Sequence, residues 1–250
     1  LCRLRAKTVM LELHQFRHSA FCLKVRMALH AKGLSFREVE VTPGIGQLAV
    51  FRLSGQRQVP VLVDGDTVVS DSSAICRYLD ELQPEPPLVP KDRRAAAQIH
   101  LIEDWADTTL AGSVRAALLQ AAVDDPDLRA ALLPDDVPGP IRQVMTGVPT
   151  GWLSGVNELF GQEERSAMLH NLIAIADGLT PGGFLVGDSL SLADLAVAAQ
   201  LSLLRFPASA GSQLAGRGVA GLSDHPRLQP LFEWRDQLEA RVFQPDPAAV

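Results

Sequence analysis

Ser19 and Cys22 stand one helical turn apart in SAFCLKV, where an apolar strand pattern gives way to a helical one. The first N–H groups of a helix have no partner within it and favour an anion, so a thiolate or carboxylate suits that position. A serine there also simply caps the helix, contributing about 1 kcal/mol. Cys22 reads either as a buried structural thiol or as one able to form a mixed disulfide. Arg17 and His18 adjoin the turn and either add positive potential or are solvated. Further on, Val59-Pro60 opens a strand-like VPVLV, and Asp71-Ser72 stands where the next helix must begin. The proline suits an edge strand, and also a site that holds a small peptide. Asp-Ser suits an ordinary helix cap, and also a site that holds a small peptide. His100, His170 and His225 have no partners at metal-ligand spacing, and no metal is expected.

The elements that must position these residues are legible in the periodicity. TVMLELHQF (8–16) reads as a buried strand, and SAFCLKVRMALHAKG (19–33) as a helix stopped by Gly33. FREVEV (36–41) alternates like a half-buried strand, and QLAVFRL (47–53) is a short helix. VPVLV and TVVS flank Asp64-Gly65-Asp66, a hairpin signal because glycine accepts positive φ. A helix follows over Ser72 to Leu82. The order is β-α-β-α-β-β-α, which predicts a small mixed sheet covered by helices.

PEPPLVPKD (84–92) is too rich in proline for a helix or a central strand and predicts a stiff linker. The expected organisation is a first domain over 8–83, the linker over 84–92, and a helical domain over 93–243. In the last, 95–122 repeats apolar residues at Ile99, Ile102, Ala106 and Leu110, as an amphipathic helix does. Further helices are expected over 163–179, 192–206 and 225–243, the last started or kinked by Pro226 and Pro230. Ser191 with Asp194 reads as a capping box, with Leu190 and Leu195 as its staple. Two stretches rich in Pro, Gly or Asp, 124–155 and 208–224, read as loops.

Composition narrows the function. Apolar residues make up 47% and charged residues 21%, an ordinary soluble balance. No apolar run approaches the roughly 18 residues of a membrane span, and the opening LCRLRAKTVMLELHQF is too interrupted for a secretory signal. A net charge of -6 without a dense Lys/Arg block argues against nucleic acid as the main partner. Cys2, Cys22 and Cys76 fit neither a zinc site nor a disulfide framework, so a reducing cytoplasm is the expected location.

SAFC resembles the Cys-x-x-Cys turn of thioredoxins and glutaredoxins, with Ser19 in the first cysteine position and Cys22 in the second. Joined in order to Val59-Pro60, Asp71-Ser72 and a following helical domain, the pattern resembles the cytosolic glutathione transferase family. The likeness rests on motif and order in the N-terminal half and on helical character in the C-terminal half. It implies an α/β plus all-α fold: a thioredoxin-like domain followed by an α-helical bundle. It implies a detoxifying transferase that joins glutathione, as co-substrate, to a small hydrophobic electrophile, and a homodimer. By the resemblance Val59-Pro60 is cis, and Val59 hydrogen-bonds the cysteinyl part of glutathione with Gln58 assisting. Ser72 then meets the γ-glutamyl carboxylate and Asp71 its ammonium. Ser19 matches the serine type of catalytic group, although serine-type members often have Pro where this chain has Ala20. Tyr78 lies inside a helix and in the wrong place for the tyrosine type. Trp105, Thr109 and Arg115 lie on the helix that lines the family's electrophile pocket, and Trp105 reads equally as core. Two alternatives stand beside conjugation: thiol-disulfide exchange through Cys22, and a glutathione-transferase-like binding protein without turnover.

Overall fold

The structure is a computed structural model of the chain, and it describes residues 10–42, 46–133 and 162–243. The chain divides into two compact units, Leu1–Pro86 and Pro87–Val250.

In the first unit, β1 (Leu11–Gln15), β2 (Phe36–Glu40), β3 (Val61–Asp64) and β4 (Thr67–Ser70) form one sheet in the order β2-β1-β3-β4. The pairing follows from the connections. A helix, α1 (Ala20–Ala31), carries the chain from β1 to a parallel β2, whereas β3 and β4 are joined by a tight turn and run antiparallel. Gly65 takes φ 59° in that turn and Gly33 takes φ 63° after α1, conformations in which a side chain is strained. Helix α2 (Gln47–Ser54) contacts β4, and α3 (Ser72–Leu82) packs against α1. Leu13, Val25, Met27, Leu29, Leu62, Ile75 and Leu79 make the buried core between sheet and helices.

The second unit is helical: α4 (Arg93–Trp105), α5 (Ala111–Asp124), α6 (Pro126–Ala131), α7 (Gln162–Gly178), α8 (Leu192–Leu204) and α9 (Gln229–Phe243). Helix α8 is apolar on nearly every side, as only a core helix can be, and α4, α5 and α9 pack around it. At its head, buried Asp194 accepts the Ser191 N–H (2.8 Å) and hydroxyl (2.6 Å) and reaches the Leu185 N–H (2.7 Å), completing the expected capping box. A short 3-10 turn, Pro226–Leu228, leads into α9. Among the described residues, no helix is long and apolar enough to cross a membrane.

Two expectations change. The single helix read over 95–122 is α4 and α5 joined by a π-helical turn, Ala106–Leu110. The apolar spacing survives, since Ile99, Ala106 and Leu110 are all buried, but Glu103 is buried within the same stripe. The stretch 124–155 is not all loop, because α6 forms within it. Asp125 accepts the N–H groups of Asp127 (2.9 Å) and Leu128 (3.0 Å), and Pro126 occupies the first turn, where its missing N–H costs nothing. Residues 134–155 lie outside the described residues.

Candidate active site

The pairing register brings the candidate residues of the first unit to one end of its sheet. Gln15, at the end of β1, leads into the turn before α1, and Ser19 is the N-cap of that helix with extended backbone (φ -86°, ψ 124°). Its oxygen accepts the Cys22 N–H at 3.4 Å, so the hydroxyl proton can be directed outward. His14 on β1 pairs with Val61, the first residue of β3, so Val59-Pro60 lies beside the end of β1. Val61 in turn pairs with Ser70, the last residue of β4, which places Asp71-Ser72 next along the same edge.

The Val59-Pro60 bond is cis. Pro60 is buried, Val59 half-buried and Gln58 exposed. Among the described residues, no hydrogen bond engages the Val59 main chain. Asp71 takes φ 78°, and among the described residues no other non-glycine has positive φ. Such a conformation costs about 1–3 kcal/mol and is characteristic of ligand clamps. Asp71 caps α3, its Oδ1 accepting the Ala74 N–H (2.9 Å) and its carbonyl the Ile75 N–H (2.9 Å). That leaves a second carboxylate oxygen on an exposed side chain. Ser72 follows as the first residue of the helix, only 3% exposed.

Residues 13–87 match the family model described as glutathione S-transferase, N-terminal domain. Glutathione S-transferase 1 of Dianthus caryophyllus is 41% identical over 95 residues, 37% of this chain and 43% of that protein. The chain thus spans less than half the length of this curated relative. Protein LigF of Sphingobium sp. SYK-6 is 25% identical over 247 residues, 92% of this chain and 90% of LigF. Residues 13–87 thus belong to the glutathione S-transferase N-terminal domain family. The crystal structure of the LigF protein, described as a beta-etherase, has a TM-score of 0.65 at 24% identity, covering 93% of this chain and 96% of that one, which shows a shared fold. FtsZ-localized protein A of Caulobacter vibrioides is 27% identical over 198 residues, 78% of this chain and 77% of that protein.

Within this glutathione S-transferase fold, the remaining candidates separate by environment. Cys22 is fully buried, and burial pushes its thiol up to about 11 despite hydrogen bonds from Ser19 and the Phe16 main chain that favour the thiolate. At pH 8 such a thiol is ionised to only about one part in a thousand. Iodoacetamide at that pH should therefore alkylate Cys22 in the folded protein on the order of a hundredfold more slowly than in the unfolded chain, read by peptide mass spectrometry. Equal rates would contradict the buried, protonated environment. Cys76 is also buried, and Cys2 lies outside the described residues. Tyr78 donates to Asp64 at 2.7 Å on the body of α3, away from the end of β1. In the second unit, Trp105 is half-buried at the end of α4, and Thr109 is exposed in the π-helical turn. Such turns are frequent at functional positions.

Sequence reasoning named Arg17 and His18 beside the first turn but missed Lys24, Arg26 and Glu40. Arg26 on α1 donates to the Arg17 carbonyl (3.1 Å) and to Gln15 Oε1, and Glu40 on β2 accepts the Arg17 N–H (2.8 Å). Lys24 is buried with its ammonium 3.0 Å from Ser73 Oγ. The K-x-R spacing on α1 was the available signal, but the partners lie on other elements, and only the sheet register places them.

Proposed function

We propose that the chain is a glutathione transferase in which Ser19 donates a hydrogen bond to the glutathione thiolate. The Val59 main chain pairs with the cysteinyl residue and Gln58 assists. Ser72 meets the γ-glutamyl carboxylate with its hydroxyl and N–H, at a helix N-terminus that favours an anion, and the second oxygen of Asp71 faces the ammonium. The division of labour proposed is 8–83 for glutathione, 84–92 as linker, and 93–243 for a small hydrophobic electrophile met by Trp105 and Thr109.

One observation carries this reading: Ser19 follows β1, Val59 precedes β3 and Asp71-Ser72 follows β4, all at the same end of a sheet in which these strands lie in that spatial order. Adjacent strands are about 4.8 Å apart, so the two outer anchors are separated by about 10 Å. An extended tripeptide of about 3.3–3.6 Å per residue spans that distance. The chemistry follows from the anchors. The thiol proton leaves to solvent, the thiolate attacks an electrophilic carbon, a C–S bond forms, and the leaving group departs with its electron pair. Lowering the thiol pKa from ~8.5 by a couple of units makes the anion the main species at neutral pH.

The environment of Cys22 argues against the thiol-disulfide alternative. The likeness to FtsZ-localized protein A favours a second reading, a glutathione-transferase-like protein that holds a ligand or a protein partner without turnover. Capture on immobilised glutathione followed by an electrophile panel separates the readings. Because LigF is described as a beta-etherase, an ether belongs on that panel. Turnover of any member supports the transferase, and capture with no turnover supports the binding protein. Failure of capture removes the site from both. The family's usual homodimer is proposed here too, with Leu48, Phe51 and Val68 as exposed apolar residues on the first unit.

A further inference from the structure

The Phe16–His18 turn delivers Ser19 to the head of α1, and both main-chain polar groups of Arg17 within it are gripped by charged side chains. Glu40, the last residue of β2, accepts the Arg17 N–H at Oε1 (2.8 Å) and the Gln15 amide at Oε2 (3.3 Å). Arg26, on α1, donates Nη2 to the Arg17 carbonyl (3.1 Å) and Nη1 to Gln15 Oε1. Gln15, itself 1% exposed, is the hub, and its amide also reaches Glu38 at 2.8 Å. The turn adds two local bonds, Ser19 N–H to the Phe16 carbonyl (3.0 Å) and Phe16 N–H to Cys22 Sγ (3.5 Å). A turn has no ladder of its own, so these side chains decide which of its conformations is kept.

We propose that Glu40 and Arg26 are positioning residues for Ser19, fixing the turn from β2 and from α1 so that the hydroxyl keeps a single geometry toward the thiol. The inference rests on the reading of Ser19 as the thiolate's hydrogen-bond donor. The pair also acts through charge. At Cys22, one helical turn from Ser19, Arg26 favours the thiolate and Glu40 opposes it, both after the larger effect of burial. The same signs apply to a glutathione thiol held at Ser19. Arg17 and His18 in the turn and Glu38 on β2 are the other charged or titratable groups there, and they stay constant across the variants below.

The test uses the whole chain with glutathione and a chlorodinitrobenzene, reading kcat, KM and the pH dependence of kcat/KM, with glutathione affinity measured by calorimetry. Glu40→Leu removes the acceptor and is expected to lower kcat about tenfold (~1.4 kcal/mol) with glutathione affinity within about threefold. Glu40→Gln keeps an acceptor and restores most of kcat. It also moves the acidic limb of the pH profile downward, because a negative charge near the thiolate is gone. Arg26→Gln moves that limb upward. A lowered melting temperature with wild-type kcat and an unmoved limb would overturn the proposal, as would equal loss in Glu40→Leu and Glu40→Gln. If Glu40→Leu does not fold, the opposite limb shifts of Glu40→Gln and Arg26→Gln decide it. Full activity in Ser19→Ala is a separate result: it overturns the reading of Ser19 itself, and the positioning role with it.

Discussion

Ser19→Ala is expected to lower kcat/KM for glutathione conjugation by about 10²–10³-fold, the usual consequence of removing one donor from a developing or resting anion. Glutathione affinity should change far less, because the other proposed anchors are the Val59 main chain before β3 and groups at the head of α3. The thiol of bound glutathione should return toward its free value, so that activity in the variant is recovered in part at alkaline pH. Loss of the N-cap contact to Cys22 N–H also costs the fold about 1 kcal/mol. That cost does not mimic the catalytic loss, since a slightly less stable protein remains folded under assay conditions. Ser19→Thr keeps a hydroxyl and should retain much more activity than Ser19→Ala. Wild-type turnover in Ser19→Ala would remove Ser19 from the mechanism.

The second large effect concerns stability. Lys32, the C-cap of α1, has no exposed side-chain surface, and its ammonium donates to the carbonyls of Gln83 (2.8 Å) and Pro86 (2.5 Å) and pairs with Asp80. Three oxygens at the C-terminal end of α3 thus share one buried cation, where the helix dipole favours positive charge. Lys32→Met leaves a carboxylate and two carbonyls without their common partner. Removing one member of a buried pair costs about 3–5 kcal/mol, and that loss is expected in the denaturant unfolding of the N-terminal unit. Asp80→Asn in the Lys32→Met background should recover part of it, because the uncompensated charge is then gone. A loss below about 1 kcal/mol would show that Lys32 behaves as a solvated surface residue.

Much of the first unit was legible in local signals. Asp71 preceding an amphipathic run marked the start of α3, Gly65 marked the hairpin, and alternation marked β2. The cis Val59-Pro60 bond was reached through the family resemblance and not through spacing, because a proline before a strand is compatible with either isomer. What local signals did not carry depends on partners distant in the chain. Lys32 looks like a surface lysine at the end of a helix until the end of α3 is brought to it. Arg26 and Glu40 acquire a shared role only through the parallel register that sets Gln15 beside Glu40. The π-helical turn at Ala106–Leu110 escaped for another reason: Ile99, Ala106 and Leu110 keep the i, i+7, i+11 spacing that an unbroken α-helix also shows. Helix α6 escaped because Pro126 and its acidic neighbours read as loop, although Asp125 before Pro126 is an N-terminal helix signal.

The central claim is that this sheet end holds glutathione as a thiolate against Ser19. Titrating the ultraviolet absorbance of the thiolate in the protein–glutathione complex against pH tests it most directly. The account predicts saturable binding and an ionisation midpoint a unit or more below the ~8.5 of a free thiol, with the shift largely lost in Ser19→Ala. A bound thiol that ionises at its free value, or no saturable binding of glutathione, would contradict it.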